Sequence, residues 1–322
     1  MFKRSSISQP LEALTAFRAN ALACFRDKLA VGAYQMESAA CLCGETTGEL
    51  IATTDRYALP VQTWLCRKCS MLWTSPRLSK ESLELFYNDD YRAIYSGDNI
   101  SSEEFFQDQI KGGKEALKFV QFHFPDGGTL FDIGCGAGGT LIPFQETAWR
   151  GFGCDTGGSY LDRGRAAGLV LEHGGIDSLR AHGKADLIMF RHTLEHLADP
   201  ADAIQKAAEL INENGCIYVE LPGVRFIHRS YGGDLMQFLQ NAHLHHFTLD
   251  TLSSFMSRFN FGLVDGNEYV RALYQFGRPS RPMTPDFKSM LNYLSWMEIG
   301  RQAGAWRASA RLRSLLRSWR RA

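Results

Sequence analysis

The sequence contains no apolar run that approaches the ~20 residues needed to span a bilayer. It also has no excess of charge, because 35 Lys and Arg balance 35 Asp and Glu. The first absence argues against a transmembrane chain, and the second against the basic surface of nucleic-acid-binding domains. The amino terminus lacks an apolar segment with a cleavage site, so no secretory signal is predicted. We therefore expect a cytoplasmic chain.

A glycine-rich turn follows a short apolar segment near the middle of the chain. Residues 129–133 are mostly apolar and bounded by glycines, which is typical of a buried parallel strand. Gly134, Gly136 and Gly138 allow a tight turn that brings the backbone close to a ligand. Residues 140–149 are predicted to form the next helix. A strand, a glycine turn and a helix in this order build a nucleotide pocket at the carboxyl edge of an α/β sheet.

The same turn matches a dinucleotide fingerprint, Gly134-x-Gly136-x-x-Gly139, so a dehydrogenase is one interpretation. Asp132 argues against it, because a carboxylate at this position repels a pyrophosphate and suits a positively charged ligand. S-adenosylmethionine has both an ammonium and a sulfonium charge. The segment Asp132-Ile-Gly-Cys-Gly-Ala-Gly138 resembles the first motif of class I S-adenosylmethionine-dependent methyltransferases. The resemblance implies S-adenosyl-L-methionine as co-substrate.

Later segments follow the order that this resemblance implies, over roughly residues 125–278. Residues 151–155 predict a second strand that ends in Asp155, where the ribose hydroxyls of the cofactor need a carboxylate acceptor. The resemblance places Asp177 at the adenine. We expect an α/β fold with a Rossmann-like seven-stranded methyltransferase sheet, an amino-terminal zinc ribbon and a helical lid. The other predicted segments of the sheet cover residues 169–173, 185–190, 211–222, 262–270 and 272–276.

Two close pairs of cysteines lie near the amino terminus. In a reducing compartment such clusters bind metal more often than they form disulfides. Cys41 and Cys43 are followed about twenty residues later by Cys66 and Cys69, and this pattern predicts a zinc ribbon with four thiolate ligands to a structural Zn²⁺. The segment resembles the zinc-binding part of a methyltransferase group that includes sugar methyltransferases. Ala40 stands where that group has its first cysteine, so free thiols on a degenerate module are the alternative.

The pattern His192-x-x-Glu195-His196 follows the predicted fourth strand. It matches inverted zinc peptidases, whose mechanism needs both histidines on one face of a long helix. Pro200 closes the segment too soon for such a helix, so a peptidase is not predicted. The methyltransferase resemblance instead places Arg191, His192 and His196 beside the methionine part of the cofactor. A structural role for His192 is the alternative.

A second histidine segment runs from Asn241 to Thr248. It resembles the Glu-His-x-x-Tyr-Phe-Ser segment of zinc-containing sugar C-methyltransferases, in which this histidine and the one after the fourth strand face the acceptor. The matching residues here are His243 and His196. Ala242 replaces the family's glutamate and His246 its tyrosine, so the resemblance does not fix the acceptor.

Methyl transfer to a hydroxyl requires removal of a proton. A neutral imidazole suits this task because its pKa lies near neutral pH. We expect His243 to be the general base, with His196 as the second candidate. Tyr91 and Tyr95 belong to a segment predicted to cover the cofactor, and packing in the core is their alternative role.

The predicted organisation has five parts. The last helix is basic on one face and carries leucine and tryptophan on the other, so it is suited to an anionic membrane surface or to a partner subunit. The five parts are an amino-terminal helix (1–38), a zinc-ribbon module (39–75), a helical lid (76–124), a class I methyltransferase core (125–280) and carboxyl-terminal basic amphipathic helices (281–322).

The sequence thus predicts a methyltransferase that acts on a hydroxyl, an amine or a carbon of a sugar, a small metabolite or a glycan intermediate of polysaccharide biosynthesis. This acceptor class comes from the family resemblance alone. Two other functions stay open: an RNA-directed methyltransferase, and a non-catalytic scaffold that binds S-adenosylmethionine. Binding that weakens steeply with salt would indicate the RNA-directed enzyme.

Overall fold

The computed structural model describes residues 5–11, 13–95, 102–280 and 284–303 of the chain. Within the amino-terminal part, short strands alternate with helices before the glycine-rich turn is reached. The elements of this part are α1 (Ala16–Ala30), β1 (Met36–Glu37), β2 (Gly48–Thr54), β3 (Pro60–Cys66), β4 (Leu72–Thr74), β5 (Arg77–Leu78), α2 (Lys80–Asp89), α3 (Tyr91–Tyr95) and α4 (Ser102–Val120).

Strands and helices alternate more regularly after residue 127, and several helix starts follow simple capping rules. Thr248 accepts a hydrogen bond from the backbone N–H of Thr251 and so acts as the N-cap of the helix that follows it. The elements are β6 (Gly128–Ile133), α5 (Ile142–Gln145), β7 (Trp149–Asp155), α6 (Gly158–Ala166), β8 (Val170–His173), β9 (Ala185–Arg191), α7 (Pro200–Leu210), β10 (Ile211–Glu220), α8 (Ile227–Ser230), α9 (Leu235–Phe238), β11 (His245–His246), α10 (Leu249–Ser257), β12 (Phe261–Gly266), β13 (Arg271–Phe276) and α11 (Phe287–Gln302).

Seven of these strands form one sheet in the order β12-β13-β10-β9-β6-β7-β8. Strand β13 is antiparallel to both of its neighbours, while β10, β9, β6, β7 and β8 pair in parallel. The parallel strands are apolar because helices cover both faces of such a sheet. The predicted α/β fold with a Rossmann-like seven-stranded sheet is therefore confirmed.

The helix predicted for residues 140–149 is wrong in length. The chain makes a 3₁₀ turn over Gly139–Leu141, then the one-turn helix α5, and Trp149 already begins β7. Trp149 pairs with Gly128 at the start of β6. The last residue of the expected helix is therefore part of a strand instead. The strand predicted for residues 262–270 likewise ends early, at Gly266.

A second sheet connects the two halves of the chain. Its order is β11-β4-β3-β2, and β11 consists of His245 and His246, which pair with Trp73 and Leu72 of β4. The cysteine-bearing segment and the second histidine segment therefore share one sheet. The position of the histidines is fixed by backbone hydrogen bonds to the amino-terminal part.

Helix α4 lies against the glycine turn. A Cβ on Gly113 would come within 2.4 Å of the Thr140 carbonyl oxygen, and one on Gly139 within 2.4 Å of the Phe106 carbonyl oxygen. Such distances are far below van der Waals contact, so both positions need glycine. The close approach seals this side of the turn.

Helix α11 confirms the helical spacing predicted for residues 287–297, and it buries Met290, Leu294 and Met297. The Arg-rich segment beyond it, residues 304–322, lies outside the described residues. Among the helices that the structure describes, none combines the length and the apolar character needed to cross a membrane.

We predict that Gly113→Ala lowers the free energy of unfolding by about 1–3 kcal/mol, because the added methyl overlaps backbone that cannot move aside. Gly112→Ala is the matched control. The three atoms nearest to its methyl would all belong to the guanidinium of Arg191, at the end of a flexible side chain. Chemical denaturation measures both variants, and equal loss in the two would contradict the packing described for α4.

Candidate functional site

The glycine turn has the backbone geometry that only glycine adopts easily. Gly134, Gly136 and Gly138 have φ angles of 71°, 57° and 77°. A Cβ on Gly134 would meet the side chain of Thr193, and one on Gly136 would meet Gln109 of α4. The turn is thus held between α4 and the loop after β9.

Asp155 lies at the carboxyl end of β7, directly beside this turn. Its two oxygens accept hydrogen bonds from the backbone N–H groups of Gly136 at 2.8 Å and Gly157 at 2.7 Å. Each carboxylate oxygen has a second lone pair, so capacity remains to accept hydrogen bonds from a ligand diol. The backbone bonds orient the carboxylate for that task.

Asp132 and Arg191 lie on adjacent strands at the same sheet edge. Burial raises the pKa of Asp132 to about 7, although the Arg191 guanidinium acts to lower it. The Arg191 Nε is 3.5 Å from a carboxylate oxygen of Glu220, at the end of β10. Glu220 also accepts a hydrogen bond of 2.6 Å from the hydroxyl of Tyr218. This edge of the sheet is rich in carboxylates and suits a cationic ligand.

Asp177 lies at the surface, away from the glycine turn. Its side chain is half exposed and forms ion pairs with Arg180 at 2.8 Å and with Lys206 at 3.1 Å. The neighbouring Ile176 is buried in the core. In the described structure the Asp177 carboxylate is thus engaged at the surface, not with the glycine turn.

The His192-x-x-Glu195-His196 pattern does not form the long helix of a peptidase. His192 has a positive φ of 52°, and residues Leu194–His196 make a single 3₁₀ turn. Consequently the two histidines are not presented four residues apart on one helix face, as the peptidase mechanism needs. The expectation that no peptidase site forms here agrees with this geometry.

The three residues Glu195, His196 and His243 form a buried cluster. The rings of His196 and His243 lie edge to face, with centroids 4.7 Å apart. His196 Nδ1 lies 2.9 Å from the carbonyl oxygen of Ala242 and 2.9 Å from the hydroxyl of Tyr87. Two histidines separated by 47 positions in the chain thus meet at one point.

Burial sets the protonation of these imidazoles. It lowers the pKa of His196 and lowers that of His243 well below the usual value. Burial alone would raise the pKa of the Glu195 carboxyl, but His192 and His196 reverse this and lower it. Neutral imidazoles beside a carboxylate can accept a proton from an acceptor group.

Of two tyrosines in the predicted lid, one contacts this cluster and the other bonds to a residue beside it. The Tyr91 ring lies edge-on to His196 at 6.0 Å between centroids. The Tyr95 hydroxyl donates a hydrogen bond to Asn241, two residues before His243. Helix α3 therefore covers the histidines, and Arg92 between the two tyrosines lies over the ring of Tyr160.

The four cysteines near the amino terminus also converge. The Sγ atoms of Cys41 and Cys69 are 3.4 Å apart, and those of Cys43 and Cys66 are 3.5 Å apart. All four sulfurs lie within 4.8 Å of one another. Four sulfurs bound tetrahedrally to zinc lie about 3.8 Å apart, given Zn–S bonds of about 2.3 Å. The cluster has the size and the donor set for such an ion.

Each cysteine pair sits on a tight turn. Gly44 has a φ of 84° and donates a hydrogen bond to the Cys41 carbonyl at 2.7 Å. In the second turn, the backbone N–H of Cys69 points at the sulfur of Cys66 at 3.4 Å. The shortened spacing of the first pair is thus accommodated by a glycine turn.

Sequence reasoning did not select three residues that belong to the site. Glu195 was part of the motif set aside with the peptidase, Glu220 ends a predicted strand, and Tyr87 contacts His196 from α2. Only Glu195 gave a signal in the sequence, because it lies between two histidines in a recognised pattern.

Comparison with known proteins gives one family match. Residues 106–265, about half of the chain, match a family model described as a methyltransferase domain. No curated protein matches the chain.

Solved structures resemble the chain only weakly. A methyltransferase of Thermotoga maritima, described as a possible histamine N-methyltransferase, has 18% identity and a TM-score of 0.43 over 55% of this chain and 94% of its own. The 1,6-didemethyltoxoflavin-N1-methyltransferase of Burkholderia thailandensis has 13% identity and a TM-score of 0.47 over 67% of this chain and 98% of its own. These likenesses are too distant to carry an assignment.

The family match and the sheet agree with each other. The matched range contains β6 to β10, the glycine turn, Asp155 and the Glu195 cluster. Residues 106–265 therefore match a methyltransferase domain, and their sheet has the Rossmann-like order expected of one.

Proposed function

We propose that the chain transfers the methyl group of S-adenosylmethionine to a hydroxyl or amine, or to a carbon, of a sugar, glycan intermediate or other small metabolite. The observation that supports this most directly is the buried pair of neutral imidazoles, His196 and His243, at the sheet edge that also carries Asp132 and the glycine turn. A donor in the crevice and an acceptor beside the imidazoles would lie side by side.

In this proposal the donor lies along the carboxyl edge of the sheet. The Asp155 carboxylate accepts hydrogen bonds from the ribose hydroxyls, and Gly134, Gly136 and Gly138 provide the close backbone approach. Asp132 faces the positively charged methionine part. Two further cofactor-binding residues, Arg191 and His192, are proposed beside that part, and Asp177 is proposed near the adenine.

The transfer step requires alignment and the exclusion of water. The acceptor atom attacks the methyl carbon in line with the C–S bond, which breaks as its electron pair returns to sulfur. A hydroxyl acceptor gives its proton to an imidazole. His243 is the first candidate for this base and His196 the second, and burial keeps both imidazoles neutral by lowering their pKa values.

The cysteine cluster is proposed to hold a structural Zn²⁺. Cys41, Cys43, Cys66 and Cys69 supply four thiolates and leave no open position for chemistry. Strand β11 belongs to the same sheet as β3, which ends at Cys66. An ion at this site would therefore also stabilise the segment that carries His243. The zinc would thus support the acceptor site from a distance.

We predict that Asp155→Ala weakens S-adenosylmethionine binding by roughly 10- to 100-fold, the cost of hydrogen bonds to a charged acceptor. Calorimetry measures the affinity. Asp186→Ala is the matched control, because its carboxylate accepts hydrogen bonds from Thr129 and Asn212 at the opposite edge of the same sheet. Unchanged affinity in Asp155→Ala would contradict the proposed position of the ribose.

We predict that His243→Ala reduces methyl transfer by about 100-fold or more, the usual contribution of a general base, while S-adenosylmethionine still binds. His196→Ala should have a similar or smaller effect. Transfer of labelled methyl to a panel of sugars, sugar nucleotides and amines measures activity, and His228→Ala is the control for loss of a half-buried histidine elsewhere. Full activity after loss of both His196 and His243 would favour a role outside catalysis for this cluster.

We predict that the purified chain retains about one zinc ion after washing with a weak chelator, since four thiolates enclose the metal. Replacing Cys66 and Cys69 together by serine should remove it and lower the melting temperature. Cys24→Ser, at an exposed free thiol, should change neither quantity. Elemental analysis measures the zinc content. A stable wild-type chain without zinc would contradict the proposed zinc site.

A further inference from the structure

Glu195 presents a problem that the proposed reaction does not solve. The residue is 2% exposed, and neither carboxylate oxygen has a hydrogen-bond partner among the described residues. A buried polar group without a partner is costly, and a buried charge is more so. The buried Glu195 carboxylate therefore needs a cation or a hydrogen-bond donor to offset the cost of its burial.

Three imidazoles surround that carboxylate. One oxygen, Oε1, is 3.8 Å from Nδ1 of His192, 3.8 Å from Nε2 of His196 and 4.0 Å from Nε2 of His243. These distances are too long for hydrogen bonds. Ligand atoms at about 2.0–2.2 Å from a shared tetrahedral ion lie about 3.4 Å apart. The side chains would therefore need to move together only slightly to coordinate one ion.

The hydrogen bonds of His196 fix the nitrogen that faces Glu195. Its Nδ1 lies 2.9 Å from the carbonyl oxygen of Ala242, which can only accept, so Nδ1 carries the proton. The lone pair of Nε2 then points towards the carboxylate. A backbone carbonyl on the far nitrogen is the usual outer partner of a metal-binding histidine.

His243 differs in one respect. The amide nitrogen of Gln240 contacts both ring nitrogens of His243, at 3.2 Å for Nδ1 and closer still for Nε2. Rotation of this amide, so that its oxygen accepts from Nδ1–H, frees Nε2 to face Glu195. The group that must move is the end of a side chain, not backbone.

We propose that Glu195, His196 and His243 bind a divalent transition-metal ion, distinct from the zinc of the cysteine cluster. The three candidate ligand atoms lie within 4.8 Å of one another. Two imidazoles and one carboxylate form a donor set for Mn²⁺, Fe²⁺ or Co²⁺. His192, which is one-third exposed, lies on the open side, where an acceptor hydroxyl completes the coordination.

The consequence for the reaction rests on the proposed function. With an ion in place, His196 and His243 act as ligands and replace the role of general base proposed for them above, because a nitrogen that coordinates a metal cannot also accept a proton. The acceptor is then a hydroxyl whose pKa the ion lowers, and its proton leaves to solvent water. The oxygen bonds to the methyl carbon, the C–S bond breaks, and the electron pair returns to sulfur.

Cobalt titration of the full chain, with its cysteine cluster already loaded with zinc, tests the site. We expect about one Co²⁺ per chain, with visible bands typical of nitrogen and oxygen ligands and without thiolate charge transfer. Glu195→Gln should weaken Co²⁺ binding at least tenfold, because the isosteric amide has no charge. Glu172→Gln is the matched control, since Glu172 pairs with His182 at 2.9 Å outside the cluster.

The outcomes separate the metal site from the proposed function, because S-adenosylmethionine binding is measured by calorimetry on the same samples. Wild-type chain that binds S-adenosylmethionine but shows no such cobalt bands overturns the metal site and leaves the methyltransferase proposal standing. Cobalt binding without S-adenosylmethionine binding supports the metal site and overturns the methyltransferase proposal. If Glu195→Gln does not fold, His196→Gln replaces it, and unchanged cobalt affinity in the folded variant also overturns the site.

Discussion

Pairing of β9 with both β6 and β10 is the constraint on which the site depends. Parallel register sets Phe190 level with Ile133 and Arg191 level with Glu220. Since parallel strands end at one edge, the charged residues that follow or close these strands are collected there. The buried interior of the sheet tolerates few polar groups, so its edge carries the chemistry.

A second constraint comes from the small sheet. Strand β11 adds to β4, so the segment around His243 is held by the same sheet whose neighbouring turns carry the cysteines. The Thr74 hydroxyl also donates a hydrogen bond of 3.0 Å to the His243 carbonyl. The amino-terminal part therefore positions the segment that carries His243 through backbone geometry.

Local signals predicted the strands well and the element ends less well. A few neighbouring residues were enough to predict the glycine turn, the apolar strands and the helix start at Thr248. The helix expected over residues 140–149 failed because Trp149 satisfies its backbone groups by pairing with β6. Local helix propensity and pairing with a distant strand compete for the same residues. Which of the two forms depends on where the fold places the partner strand.

Three features could be read from neighbouring residues alone: the succession of strand segments along the chain, the glycine turn followed by Asp155, and the two close pairs of cysteines. These features depend on neighbours in the chain. The burial of Glu195 against His196 and His243, and the surface position of Asp177, became evident only in the folded chain. The reason is physical: burial, and the pKa values it sets, arise from side chains that strand pairing brings together across long stretches of chain.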